Sequence, residues 1–393
     1  MEYPRYVKRI IDKLTAHGYE AYIVGGSLRD MLIGRAPSDF DVTTSALPEE
    51  ILSVFSDMRT IPTGLKHGTV TVLSDGKPIE VTTFRTDGEY LDSRHPESVS
   101  FTQNICDDLS RRDFTVNAIA YNEERGIVDP FGGKEDIKRK ILRAVGNPKT
   151  RMREDALRIM RGLRFSAQLD FSIEKNTLRA LEATKDGLAN VSRERIGVEM
   201  AKLVTSPSPA RALRIMIDTG ISEYVLGDYI PSDKSISALS SLPADFFTRF
   251  SALLWDCDSE RARKVLSSLK YSNAEKNGVL TILSSRDYPL PQTPADMRRF
   301  IIRFGEHAKR AATLSSLLDG APKNLLQDLG RVENTGFARK ISDLDISGND
   351  LSSLGFSGKK IGEALAFLFE KVTLDPSLNE KEKLINIINN KDF

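Results

Sequence analysis

The sequence predicts a mixed α/β head followed by an all-helical remainder. Two observations carry this expectation. Up to about residue 135, short β-branched runs alternate with segments of helical period; from Lys149 onward the pattern is almost entirely helical. Turn signals at Asp170-Phe171, Asn190-Val191-Ser192, Ser206-Pro207-Ser208-Pro209, Pro231-Ser232-Asp233 and Pro289-Leu290-Pro291 punctuate the helical part. They divide the 393 residues into a head (1–140), a neck (141–204), a body (205–295) and a tail (296–393).

The head can be justified element by element. Residues 3–17 form an amphipathic helix that Gly18 ends. Ala21-Tyr22-Ile23-Val24 is apolar and β-branched, the composition of a short buried strand. In Gly25-Gly26-Ser27-Leu28-Arg29-Asp30 the glycines allow the backbone to approach a ligand closely, and the residues after them open a helix. Backbone N–H groups at such a start attract phosphate. Asp39-Phe40-Asp41-Val42 then reads as a second strand, on which residues 39 and 41 point to the same side. Two carboxylates on one face, beside a phosphate cradle, suit one or two Mg²⁺ ions holding a triphosphate. Thr69–Leu73 and Ile79–Phe84 are strands flanking the turn Asp75-Gly76. Residues 87–100 are polar without helical period and read as a long mobile loop. Asp129-Pro130-Phe131-Gly132-Gly133 is a tight turn, structural or a hinge between head and neck.

Composition excludes several classes. Hydrophobic content of 40% and charged content of 28% are those of a soluble globular protein. Cys106 and Cys257 make no disulfide framework, which points to a reducing cytoplasm. The N-terminal charges have no apolar run behind them, so no signal peptide is expected, and no segment approaches a membrane span. The net charge of +1 conceals a basic block at 138–164, with ten Lys/Arg against two acids. Such a block fits a polyanion or, equally, a solvated helix face. The four histidines make no zincin or deaminase spacing, and no Walker loop or Ser/His/Asp constellation occurs.

Two further motifs are dense. Arg111-Arg112-Asp113-Phe114-Thr115-Val116-Asn117 offers guanidinium groups for phosphate, and an acid and an amide for ribose hydroxyls. It also reads as a helix start, with Asp113 as cap and both arginines in solvent. In Arg153-Glu154-Asp155-Ala156-Leu157-Arg158-Ile159-Met160-Arg161-Gly162-Leu163-Arg164-Phe165, the residues Asp155, Arg158, Arg161 and Arg164 recur every three positions. That spacing predicts one side of one helix, with Ile159 and Leu163 turned to the core. The row faces a ligand, or forms surface ion pairs.

These three motifs, in this order, resemble the class II tRNA nucleotidyltransferase and bacterial poly(A) polymerase family. The resemblance is dense over about 20–165, continues weakly through Val191-Ser192-Arg193-Glu194-Arg195-Ile196, and gives little beyond residue 230. It implies an α+β nucleotidyltransferase head of the DNA polymerase β type, followed by an all-α neck, body and tail in a seahorse-like molecule. It implies Asp39 and Asp41 as catalytic metal ligands, and Gly26, Arg29 and Arg112 as nucleotide contacts. Asp155, Arg158, Arg161 and Arg164 match the nucleotide-selecting motif. Glu80 lies on a strand from which a third carboxylate can approach the metals. Mg²⁺ in a two-metal mechanism, ATP and CTP as substrates, and the acceptor end of tRNA as partner follow, with neither membrane nor DNA.

Base selection can be argued from chemistry. A carboxylate only accepts and a guanidinium only donates. Cytosine and adenine each present an amino donor beside a ring-nitrogen acceptor, so Asp155 and Arg158 can satisfy both. Uracil and guanine present a carbonyl and an N–H there, and would leave buried groups unpaired at about 1–3 kcal/mol each. Family members add CCA, A only or CC only, or synthesise poly(A). CC-adding members lack or shorten the loop whose intact form Asp92-Ser93-Arg94-His95-Pro96 resembles; poly(A) polymerases tend to carry a longer basic C-terminal extension, not seen here. A-only enzymes resemble full CCA adders throughout, so that alternative stands beside the expected reading. A catalytically dead RNA-binding protein would show a broken Asp-x-Asp or neck motif, and neither is broken. The expected reading is addition of C, C and A from CTP and ATP without a nucleic-acid template.

Overall fold

A computed structural model describes residues 1–88, 99–322 and 324–390. The chain forms two compact units, Met1–Ile230 and Pro231–Phe393. No helix among the described residues is long and apolar enough to cross a membrane.

The first unit begins with α1 (Arg5–Ala16), whose apolar face buries Val7, Ile10, Ile11 and Leu14. Then follow β1 (Ala21–Val24), α2 (Gly25–Leu32), β2 (Asp41–Thr44), α3 (Pro48–Val54), β3 (Thr60–Gly64), β4 (Thr69–Ser74) and β5 (Lys77–Thr83). The turn between β4 and β5 places both Asp75 and Gly76 at positive φ, the conformation a two-residue hairpin requires. β6 (Arg85–Asp87) pairs with β7 (Val99–Phe101), and then come α4 (Ile105–Ser110), β8 (Ala120–Asn122), β9 (Gly126–Val128) and α5 (Gly133–Lys138). The predicted loop at 87–100 therefore starts and ends in paired strand, and most of it, residues 89–98 with Asp92–Pro96, lies outside the described residues.

The main sheet has the order β3-β4-β5-β2-β1-β8-β9. β1 is buried along its whole length and packs Tyr22 and Val24 with Phe84, Leu109, Ala118 and Val145. Its register decides where the chemistry sits. Val24 faces Asp41 across an antiparallel pair, and Asp41 faces Glu80 across a parallel one. The end of β1, the start of α2 and the start of β2 are thereby brought together. Asp39 lies just ahead of β2 rather than in it.

The predicted neck adds β10 (Ile141–Leu142), α6 (Pro148–Glu154), α7 (Leu157–Leu169), β11 (Ser172–Ile173), α8 (Lys175–Ala183) and α9 (Arg193–Val204). It is helical apart from a two-residue parallel pair, β10 with β11, too short for any sequence pattern to show. Ile159 and Leu163 of α7 are fully buried, as their spacing predicts. Asp129 accepts from the backbone N–H of Gly133 and Lys134, so the Asp129–Gly133 turn caps α5.

The second unit is built of helices between Asp233 and Asn389. Capping boxes at Ser272/Glu275, Thr293/Asp296 and Ser347/Asp350 start three of them. Leu351, Ala364, Leu368 and Leu384 form one of its cores.

Candidate active site

A cavity of about 920 Å³ in the first unit is lined by all nine residues singled out above: Gly26, Arg29, Asp39, Asp41, Arg112, Asp155, Arg158, Arg161 and Arg164. They come from α2, the approach to and start of β2, the loop after α4 and the α6–α7 segment, so the fold gathers three motifs spread over residues 26–164.

One wall is the α2 start. Gly25 has φ +73°, and a Cβ there would lie 3.0 Å from Arg112 Nη1 and 4.0 Å from Asp41 Oδ2. Only a glycine lets backbone, guanidinium and carboxylate approach so closely. Arg29 is buried, donating to Asn117 Oδ1 at 2.7 Å and, through Nε and Nη2, to Asp30. Its guanidinium lies 5.2 Å from the Phe165 ring centre; those of Arg161 and Arg164 lie at 5.1 and 3.9 Å. Phe165 thus gathers three cations, which favour the face of an aromatic ring.

Asp39 and Asp41 are both open to the cavity. Ser38 Oγ donates to Asp39. The walls around Asp41 nevertheless withdraw its carboxyl from bulk water, and Glu80 and Asp39 add negative charge; together they push its pKa up to about 6 against the pull of Arg112. Such a concentration of negative charge is what a divalent cation relieves, so the pair fits a metal. Among the described residues no three His, Cys, Asp or Glu side chains converge as metal ligands. Glu80 is the cross-strand partner of Asp41 and is felt by it, but is not among the residues that line the cavity.

The loop after α4 is tied down by acids. Asp108, fully buried, accepts from Arg111 and Arg112; those two guanidinium groups outweigh its burial and hold its carboxyl below the usual range. Among the described residues, the buried Arg112 Nε has no hydrogen-bond partner. Asp113 is neither a helix cap nor free for ribose. One oxygen accepts from Phe114 N–H and Asn117, the other from Arg161 Nε and Nη2 at 2.8 and 2.6 Å. Burial works to raise its pKa, but Arg161 and Asn117 hold it well below the carboxylate range.

The selecting motif departs from the expected single helix face. α6 ends at Glu154, and Asp155 takes an extended conformation (φ −137°, ψ 104°) before α7 starts at Leu157. Its Oδ1 accepts from Leu157 N–H at 3.0 Å, and its Oδ2 from Arg195 Nη2 at 3.1 Å. The acid has left the helix and bonds a backbone N–H two residues on, at the start of α7, a break that three-residue spacing cannot reveal. Arg158, Arg161 and Arg164 do share α7. Arg158 donates to Glu154 and to the carbonyls of Arg151 and Arg111. Arg164 pairs with Glu199 of α9 at 2.5 Å.

The basic block splits in two. Arg143, Arg151, Arg158, Arg161 and Arg164 pair with acids inside the unit, while Lys138, Arg139, Lys140, Lys149 and Arg153 are exposed. Sequence reasoning missed Arg195, Glu199 and Phe165. Phe165 ended a motif already in view, but the acid on α9 has no local signal.

A glycine-opened helix start, an aspartate pair and a donor-lined cavity supply the kinds of group that nucleotidyl transfer requires. The head, residues 21–143, matches the model of the poly(A) polymerase head domain; residues 170–231 match one described as "Probable RNA and SrmB- binding site of polymerase A", and 248–388 a tRNA nucleotidyltransferase domain 2 model. The CCA-adding enzyme of Geobacillus stearothermophilus is 38% identical over 95% of this chain and 94% of its own. The crystal structure of the Bacillus stearothermophilus CCA-adding enzyme in complex with CTP superposes with a TM-score of 0.83 at 34% identity, covering 99% of this chain and 98% of that one. The Thermotoga maritima CCA-adding enzyme complexed with tRNA shares the fold, with a TM-score of 0.67 at 20% identity over 97% and 94% of the two chains. The chain belongs to the tRNA nucleotidyltransferase family of CCA-adding enzymes and poly(A) polymerases.

Proposed function

We infer that this protein adds C, C and then A to the 3′ end of tRNA, using CTP and ATP. The observation that carries the reading is the convergence of the aspartate pair and the Asp155/Arg158 pair on one cavity. The relatives that span nearly the whole chain are CCA-adding enzymes, and one binds CTP.

In the reaction the 3′-oxygen bonds to the α-phosphorus, the bond from that phosphorus to the β-bridging oxygen breaks, and pyrophosphate leaves; the hydroxyl proton passes to solvent. Asp39 and Asp41 would hold Mg²⁺, which when bound activates the attacking hydroxyl and neutralises charge on the leaving group. Gly26 and the α2 start receive phosphate. Arg29 and Arg112 neutralise the triphosphate. Asp155 accepts from the exocyclic amino group of the base while Arg158 donates to its ring nitrogen. Arg161 and Arg164 line the same strip. We assign catalysis to residues 1–140, nucleotide selection to 141–204 and tRNA binding to 205–295 and 296–393. The low cysteine content suits a reducing cytoplasm.

The test is incubation with tRNA ending at its discriminator base, together with CTP and ATP, followed by sequencing of the added 3′ end. CCA supports the reading. No addition to that tRNA, with A added to a parallel tRNA already ending in CC, or a long A tract, replaces it with an alternative member activity.

A further inference from the structure

The cavity holds more positive charge than its aspartates require, but most of it is already spent. Arg29 pairs with Asp30, Arg111 and Arg112 with Asp108, Arg158 with Glu154, Arg161 with Asp113 and Arg164 with Glu199. Among the described residues, Arg35 and Lys202 are the lining cations with no carboxylate partner. Both are exposed to the cavity.

Both are tied to the Arg164–Gln168 end of α7, Arg35 directly and Lys202 through its neighbour Glu199. Arg164 Nη1 donates to Gln168 Oε1 at 2.8 Å, and Arg35 Nη1 to the carbonyl of Gln168 at 3.2 Å. Lys202 lies one turn beyond Glu199 on α9, on the face that carries the Arg164 contact. Arg35 sits on the same connection as Ser38 and Asp39. From Arg158 to Gln168 the α7 axis advances about 15 Å, comparable to an extended nucleoside triphosphate. The base edge is assigned to the Arg158 end and the reacting phosphorus to the aspartates, so the far end faces the leaving phosphates.

We propose that Arg35 and Lys202 form an anion subsite for the pyrophosphate end of the nucleotide and for released pyrophosphate. The proposal rests on the nucleotidyl-transfer reading above. Arg35 and Lys202 add charge not shared with a carboxylate to what Arg29 and Arg112 offer the triphosphate, and such cations donate freely to phosphate oxygens. The other phosphate source is a phosphodiester of the RNA, and the test separates the two.

Inorganic pyrophosphate is titrated calorimetrically into wild type, Arg35→Gln, Lys202→Gln and Lys202→Arg, and the KM values for CTP, ATP and tRNA are measured at fixed salt. Each Gln variant should weaken pyrophosphate binding about tenfold, the scale of one charge-assisted hydrogen bond. KM for CTP and ATP should rise by equal factors, KM for tRNA should stay unchanged, and Lys202→Arg should recover most of the loss. A raised KM for tRNA with unchanged pyrophosphate affinity assigns the cations to RNA phosphodiesters and overturns the proposal. Unchanged values throughout reduce Lys202 to a cation at the α9 C-terminus and overturn it too. Pyrophosphate binding that the variants lose, in a wild type that transfers no nucleotide, keeps the subsite and removes the reaction reading instead.

Discussion

The Asp155 carboxylate and the Arg195 guanidinium lie 3.1 Å apart, forty residues distant in sequence, at the break between α6 and α7. Asp155 is thereby fixed from two sides, by the Leu157 N–H and by Arg195. Among the described residues, the buried Arg195 Nη1 has no hydrogen-bond partner. If Asp155 reads a base, Arg195 is the group that holds it in reading position.

Arg195→Ala should therefore behave as a loss of positioning. The kcat/KM for both CTP and ATP should fall by about one decade, the value of one charged hydrogen bond, and discrimination against UTP should narrow. Steady-state kinetics with four nucleotides read this out, with Arg195→Lys recovering part of the loss. Equal losses for all four nucleotides would make Arg195 a purely structural partner.

Asp41→Asn should abolish transfer and yet stabilise the protein. The folded pKa of Asp41 is raised to about 6, above its unfolded value. Its favourable contribution is therefore present below the unfolded value and lost as pH rises through about 6, so at neutral pH the ionised group opposes folding. Asp41 is open to the cavity, which screens part of the repulsion. A gain of about 1 kcal/mol, or roughly 2–4 °C in Tm, is expected at pH 7.5, and none at pH 4. Mg²⁺ should raise the Tm of the wild type and not of the variant. A variant less stable at pH 7.5 would remove the charge-crowding argument.

Much of this was legible in sequence. The Gly-Gly turn and Asp-x-Asp could be placed because β1 is a continuous buried run and its flanking chemistry is local. The 69–84 hairpin was legible because Asp75-Gly76 demands positive φ at both residues. Asp155 was misplaced onto the helix because a three-residue period persists through a break when the breaking residue bonds to the start of the next helix. Asp113 was read as a helix cap or as ribose-binding because its partner, Arg161, is forty-eight residues away. Long-range ion pairs have no local signature, and they decide which arginines here retain charge for a ligand.

Gly25→Ala should damage catalysis more than folding. The residue sits at φ +73°, and its new Cβ would press on Arg112 Nη1 at 3.0 Å. Gly18→Ala is the control, with φ +86° and nothing within 4 Å. Each substitution costs about 1–2 kcal/mol of backbone strain. Only Gly25→Ala should raise the nucleotide KM as well, and comparable kinetics in the two variants would contradict the close-approach account.

Asp113→Ala strands the Arg161 guanidinium without its carboxylate. The Arg161 side chain is partly open to the cavity, so a loss of about 1–3 kcal/mol is expected, measured by urea unfolding. Asp113→Ala combined with Arg161→Met removes both charges and should recover at least half of it. A double variant no better than the single one would show that the pair is not an isolated unit.

The central claim is that protein side chains take the place of a template. Its most direct test is kcat/KM for CTP, ATP, UTP and GTP in wild type and Asp155→Ala. The Asp155 carboxylate accepts from the amino group that cytosine and adenine share, so the variant should lose about one to two decades with CTP and ATP. Its ratio of CTP to UTP should fall with them. A variant in which all four values dropped in the same proportion would show Asp155 acting only as an anchor for the start of α7, and would contradict base reading by this pair.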